Sequence, residues 1–288
     1  MSFLKSLTEE NGSVIITKFN AEKLELKFSE LSDDQICKIC FLDVETTGKN
    51  RQEDGIVELA MKVVSIDKNT GVPIEINHQY ESFNDPGIPI SEEASMVNGI
   101  TDNMVRGKSI DYDYVRLLFE FSDLIVAHYA NFDRAFLDNA LPLSREKLWA
   151  CSINDIGWLA RGFKSNAQEL LCIWHGFYYE SHRAMNDVDA LIHLLTHKSY
   201  RENKPVLEMI DNAFIPYYKI AAVDSPYETK DVLKSHNYYW DNVNRYWWKR
   251  LTLDEIEPEK EWLMKNVYNT DHFLGTINEI PIIDKYKE

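Results

Sequence analysis

The stretch "ICKICFLDVETTG", residues 36–48, places two acids at the end of an apolar run. Ile39-Cys40-Phe41-Leu42 predicts a buried strand. Side chains alternate along a strand, so Asp43 and Glu45, two apart, point the same way. Two like charges held side by side cost energy unless something positive lies between them. The pair is either part of a metal site or a solvated strand end whose turn is made by Thr46, Thr47 and Gly48. The rest of the chain has to supply any further ligands.

At 288 residues the chain has room for one large domain, or one domain plus a smaller one. No uninterrupted apolar run approaches the roughly 18 residues that a membrane helix needs, so no membrane partner is expected. The first residues, Met1-Ser2-Phe3-Leu4-Lys5, lack the sustained apolar core of a secretion signal, which points to a cytoplasmic protein. With 31 basic against 47 acidic residues the net charge is −16. A field of that sign disfavours tight non-specific binding to long duplex, but not a grip on a short end through metal ions and a local basic patch. Cys37 and Cys40 have half of a zinc-site spacing, yet they lie in the strand run, where residues three apart point to opposite faces. With Cys151 and Cys172 they read as four reduced, buried thiols.

Residues 1–35 form an acidic lead-in with one short strand predicted at Val14-Ile15-Ile16-Thr17. Three strand-like runs follow, "ICKICFLDVE", "IVELAMKVVSI" and "IEINHQYESF", joined by turn-rich pieces. "DYDYVRLLFEF" has helical spacing, "DLIVAH" is a short buried run, and a second helix is predicted near "NFDRAFLDNA". Further helices are predicted at 152–161, 166–174 and from Arg183 to about His197. Three strands followed by alternating helices and strands indicate an α/β domain with a mixed sheet over 36–200. Residues 205–288 read as a small appended α+β module.

Chemistry gathers at three places. In "LIVAHYANFDRAFL", residues 124–137, a buried strand runs into a helix whose first turn holds Asp133. An acid there is often no more than a partner of the helix dipole. In "SHRAMNDVDAL", residues 181–191, Ala184, Val188, Leu191 and Leu195 make a stripe that faces the core. Asp187 lies on or beside that face, while Asp189 is turned about 200° from it and is expected to face away. His182, five before Asp187, is placed in the loop before the helix, where it can swing over a site. Asp43, Glu45, Asp133 and Asp187 all fall at strand ends or helix starts, where an α/β sheet opens its crevice. Four oxygen ligands suit Mg²⁺ or Mn²⁺ rather than zinc.

"DVETTG", "AHYANFD" and "HRAMND" resemble the three motifs of the DEDDh class of DnaQ-like 3′→5′ exonucleases, and "VNGITDNMV" at 97–105 resembles a loop common between the first two. Tyr129 departs from the A-H-N-A form of the second motif. The resemblance implies a ribonuclease-H-like mixed β-sheet flanked by helices, and two divalent metal ions roughly 4 Å apart. It implies that Asp43 bridges both ions, that Glu45 and Asp187 complete one shell, and that Asp133 supports the second. His182 would be the general base on the attacking water. The main-chain groups of Thr46 and Thr47 are candidates to hold the terminal nucleotide. The implied partner is a nucleic acid 3′ end, single-stranded or short, and the product a nucleoside 5′-monophosphate. A reading from another class is an interaction scaffold whose metal site is vestigial.

Residues 217–250 hold nine Tyr or Trp, with six Lys or Arg against four Asp or Glu, a local +2. They form the module's own core, a stacking platform for bases, or a surface for a protein partner. "YYW" and "YWW" suit a hairpin with one face buried and the other partly exposed. "EPEKEWLMKNVY" predicts a helix with Pro258 near its start.

Overall fold

A computed structural model describes residues 8–10, 13–21, 24, 26, 27 and 31–287. The chain divides into two compact units, Met1–Ala213 with Tyr286–Glu288, and Phe214–Lys285.

The first unit is built on five strands: β1 (Ile36–Thr46), β2 (Ile56–Asp67), β3 (Pro73–Phe83), β4 (Leu124–Ala127) and β5 (Trp149–Cys151). Their order is β3-β2-β1-β4-β5. β1, β2 and β3 are antiparallel neighbours, while β4 runs parallel to β1 and β5 parallel to β4. The three predicted long strands are therefore present, and the sheet is mixed. β2 is buried at all of its 12 residues, as expected for a strand covered on both faces.

The described helices of this unit include α1 (Glu92–Asn98), α2 (Tyr112–Phe121), α3 (Ala130–Ala140), α4 (Gln168–Trp174), α5 (Ala184–Leu195) and α6 (Pro205–Ala213). α5 packs on β1 and β2, and its predicted stripe of Ala184, Val188, Leu191 and Leu195 is buried. Asp189 does not face away. It is 9% exposed and pairs with Lys62 of β2, which is 5% exposed. A buried lysine needs a carboxylate, and that partner lies 127 residues off in the sequence.

Other expectations are corrected. Residues 152–161 form turns, not a helix: the Ser152 and Ile153 N–H groups bond back to Ala127 O (3.1 Å) and His128 O (3.2 Å), and side chains help to hold the turns. The Cys151 N–H donates to Asp155 (2.8 Å) and the Gly157 N–H to Glu208 (2.8 Å). The strand expected at 14–17 is two short ones, Ser13–Ile15 and Thr17–Lys18, interrupted at Ile16. α1 has no apolar stripe, since Met96 and Val97 are exposed. Its ends are fixed by Ser91, whose hydroxyl accepts from the Ala94 N–H, and by Gly99 at φ 70°. The four cysteines are buried and free, and burial pushes the Cys37 thiol up to about 12. Among the described residues no helix is long and apolar enough to cross a membrane.

The second unit contains β6 (Tyr217–Ala222), α7 (Lys230–Ser235), β7 (Tyr239–Asp241), β8 (Tyr246–Leu251), α8 (Ile256–Leu263) and β9 (Thr276–Ile280). These strands form one antiparallel sheet in the order β7-β8-β6-β9. Ile220, Ala222 and Leu251 of the sheet pack with Leu233 of α7 and Ile256 and Leu263 of α8. Tyr238 is buried with them, and Trp247 and Trp262 lie against the cluster. The β7–β8 hairpin thus has one face in the core, and Tyr239 on the other is 64% exposed.

Candidate active site

β1 pairs with β4 only as far as Phe41–Val126, because β4 ends at Ala127 and the chain turns into α3. Beyond that point no strand among the described residues pairs the β4-facing side of β1. The Val44 N–H instead donates to Asp133 Oδ1 (3.1 Å) in the first turn of α3. Asp133 is 3% exposed. One carboxylate so ties strand to helix beside the two acids of β1.

Asp43 and Glu45 share a face of β1, and a bulge between Glu45 and Thr46 breaks the register with β2 as the strand ends. Asp187 stands in the first turn of α5. One carboxylate oxygen from each of Asp43, Glu45 and Asp187 lies within 4.8 Å of the other two. Asp133 is not in that group of three, but its charge acts on Asp43.

This crowding shows in the electrostatics. Burial, then the charges of Asp133, Asp187 and Glu45, hold the Asp43 carboxyl well above the usual range. Burial and Asp187 push Glu45 up to about 8, against a hydrogen bond from Asn98 that pulls it back. Burial pushes Asp133 up to about 7, against the Val44 N–H. Asp187 is raised by burial, with the Tyr179 hydroxyl and His182 acting the other way. Four such acids cannot all carry charge without positive charge among them. Among the described residues the nearby cations are spent elsewhere, Lys62 on Asp189 and Arg183 on Glu58. The donor set is all oxygen and fits a hard divalent cation.

His182 is exposed and adopts φ 61°, directly before Arg183, the residue that precedes the first turn of α5. Its turn is held from both sides. The Arg183 N–H donates to Asp187 Oδ2 (3.2 Å). Glu58 of β2, 1% exposed, accepts from Arg183 Nη2 (2.9 Å) and from the Ala184 N–H (3.1 Å).

Thr46 and Thr47 are buried, at 7% and 1% exposed. The Thr47 N–H donates to Gly55 O (2.9 Å), and the Thr47 carbonyl accepts from the Ser91 hydroxyl (2.9 Å). The turn wraps Asp54, which accepts from the Thr47 hydroxyl and the Asn50 N–H. A Cβ on Gly48 would stand 2.5 Å from the Asp54 carboxylate, which would have to shift and loosen these hydrogen bonds.

Four supporting residues escaped the reading of the sequence. Asn98, 5% exposed, lies within the 97–105 segment, and Arg183 lies between His182 and the first turn of α5. The Tyr179 hydroxyl, which donates to Asp187 Oδ1 (2.8 Å), and Glu58 gave no local signal.

Residues 40–195, more than half of the chain, match the family model described as exonuclease, of the RNase T type. The chain belongs to that family, and its first unit carries the family's exonuclease domain. Relatives include the PolC-type DNA polymerase III of Listeria innocua, 32% identical over 182 residues, covering 61% of this chain and 12% of the relative. The Bacillus subtilis PolC-type polymerase is 32% identical over 161 residues, covering 53% and 11%. The chain thus spans about an eighth of the length of these relatives. Among solved structures, exonuclease X in complex with 5′ overhanging duplex DNA aligns with TM-score 0.43 and 24% identity, covering 59% of this chain and 99% of that one. The zinc-bound E. coli exonuclease I–ssDNA complex aligns with TM-score 0.48 and 16% identity, covering 64% and 47%.

Proposed function

We propose that the protein is a metal-dependent 3′→5′ exonuclease that removes nucleoside 5′-monophosphates from single-stranded or short 3′ ends. The observation that carries this reading is the convergence of Asp43, Glu45 and Asp187 oxygens within 4.8 Å in a family whose members are exonucleases. Asp43, Glu45 and Asp187 would hold two divalent ions, Mg²⁺ or Mn²⁺, with Asp133 beside them. When bound, such a pair supplies positive charge to the attacking and leaving oxygens of an in-line displacement. His182 takes a proton from the attacking water as its oxygen bonds to phosphorus. The bond from phosphorus to the 3′ oxygen breaks, and that oxygen takes a proton from solvent to leave as the 3′ hydroxyl of the shortened strand. The turn at Thr46 and Thr47 would border the terminal nucleotide, with the Thr47 N–H and carbonyl already taken by Gly55 and Ser91. Four buried free thiols suit a reducing compartment, and we place the protein in the cytoplasm.

The test is digestion of 3′-labelled single-stranded DNA, RNA and blunt duplex, with and without Mg²⁺ or Mn²⁺. Metal-dependent release of 5′-monophosphates is expected, and Asp187→Ala should abolish it while the circular dichroism spectrum is kept. Near-parental turnover in that variant would remove the site as drawn. A scaffold with a vestigial centre would take up no cation, so calorimetric Mn²⁺ titration separates that reading from this one.

A further inference from the structure

The second unit runs β6-α7-β7-β8-α8-β9, a split β-α-β arrangement with strand order β7-β8-β6-β9. Both helices contribute to one core with Ile220, Ala222 and Leu251, so they cover one face of the sheet. Alternation and register assign the opposite face. Ala221 lies opposite Trp248, Trp248 opposite Tyr239, Asp241 opposite Tyr246, and Lys219 opposite Arg250. That face therefore gathers Tyr239, Tyr246 and Trp248 on two neighbouring strands, with Lys219 beside them on a third. Tyr239 and Trp248 have ring centroids 5.8 Å apart. Lys219 Nζ lies 4.8 Å from the Trp248 ring and 5.1 Å from that of Tyr246. Asp241, the acid at 3.6 Å from Lys219, is also occupied by the turn, accepting from the Val243 and Asn244 N–H groups.

We infer that this face binds a single strand of nucleic acid, with bases stacked on Tyr246 and Trp248 and the Lys219 ammonium at a phosphate. The inference rests on the exonuclease reading, which makes a nucleic acid strand the molecule this chain handles. Three observations favour that occupant. Rings interleaved with a cation on an antiparallel sheet, here half-buried at Tyr246 and Trp248 and exposed at Tyr239, form the kind of platform on which unpaired bases stack. On that face Lys219 and Arg250 stand against the single acid Asp241, a local +1 in a chain of −16. Tyr246 and Trp248, two apart on one strand, are spaced about 6.8 Å. That is about twice the 3.4 Å rise of stacked bases. Bases resting on both rings must be unstacked from each other, which a single strand permits and a duplex does not.

The experiment uses the full chain in EDTA, so that no hydrolysis occurs and the metal centre is not needed. Fluorescence anisotropy reads the affinity for labelled 12-nucleotide dT and U strands, and for a duplex of the same length. The Tyr246→Ala/Trp248→Ala variant should bind both single strands about tenfold more weakly or worse. Trp248→Phe, which keeps an aromatic ring, should retain most of the affinity, and Tyr227→Ala, exposed but outside the sheet, should match the parent. A dT-only or U-only loss identifies which strand is the ligand. Parental affinity in the double variant, or no binding by the parent, overturns the inference. With Mg²⁺ restored, the double variant should turn over a trinucleotide at the parental rate, and an equal loss on short and long strands also overturns it. A parent that binds strands in EDTA but hydrolyses none with metal would instead overturn the exonuclease reading.

Discussion

Single carboxylates in the first unit serve more than one neighbour, and substitution can separate their duties. His182 stands outside the helix at positive φ, displayed by a turn that Glu58, Arg183 and Asp187 fix. His182→Ala removes help to the attacking water and leaves the carboxylates in place. Single-turnover hydrolysis should slow by about 10²–10⁴-fold, with calorimetric Mn²⁺ affinity unchanged; full activity at neutral pH would point to another base. Glu58→Gln removes the charge that Arg183 meets. Arg183 is partly exposed, so the cost should sit near the lower end, about 1.5 kcal/mol in a urea melt. Turnover should fall more than KM rises, because the loosened turn carries His182. Asp43, Glu45, Asp133 and Asp187 were legible in the sequence because each follows an apolar run or opens a helix. Glu58 and Tyr179 were not, since their partners Arg183 and Asp187 are recognised only once the chain has folded.

At the scale of elements, β2 and α5 form the back wall of the site. Their apolar pattern was readable, and the three long strands and the α5 stripe follow from it. The burial of Asp189 was not readable. A helical wheel assumes one wet face, but α5 is buried at nine of its twelve residues. Lys62 and Asp189 therefore meet in a dry layer. Asp189→Asn strands the ammonium of Lys62, and the domain should lose about 3–5 kcal/mol. Lys62→Met/Asp189→Leu, which removes both charges, should unfold near the parental denaturant midpoint. A double variant as weak as the single one would show that the pair itself, not the uncompensated charge, sets the stability. The turns at 152–161 were missed for a related reason: Glu208, which holds Gly157 and Arg161, comes from a distant helix.

For the whole molecule, the acid cluster couples folding, protons and cations. Burial pushes Glu45 up to about 8 and Asp133 up to about 7. In the unfolded chain these groups release their protons near pH 4. Above that value the folded state holds protons the unfolded state has given up, so stability falls as pH climbs towards 8. Without divalent cations the protein should melt lower at about pH 8.5 than at about pH 5.5. Mn²⁺ should raise the melting temperature more at the higher pH, where the cation no longer competes with protons. Equal melting temperatures at the two pH values without cation would contradict the cluster as described. The second unit has a different exposure to its surroundings. Its outermost strand on one side, β7, is three residues long. So short a border offers few free N–H and C=O groups to a foreign strand. The unit can therefore hold aromatic rings towards solvent without its sheet growing into a fibre or pairing with another copy at that edge.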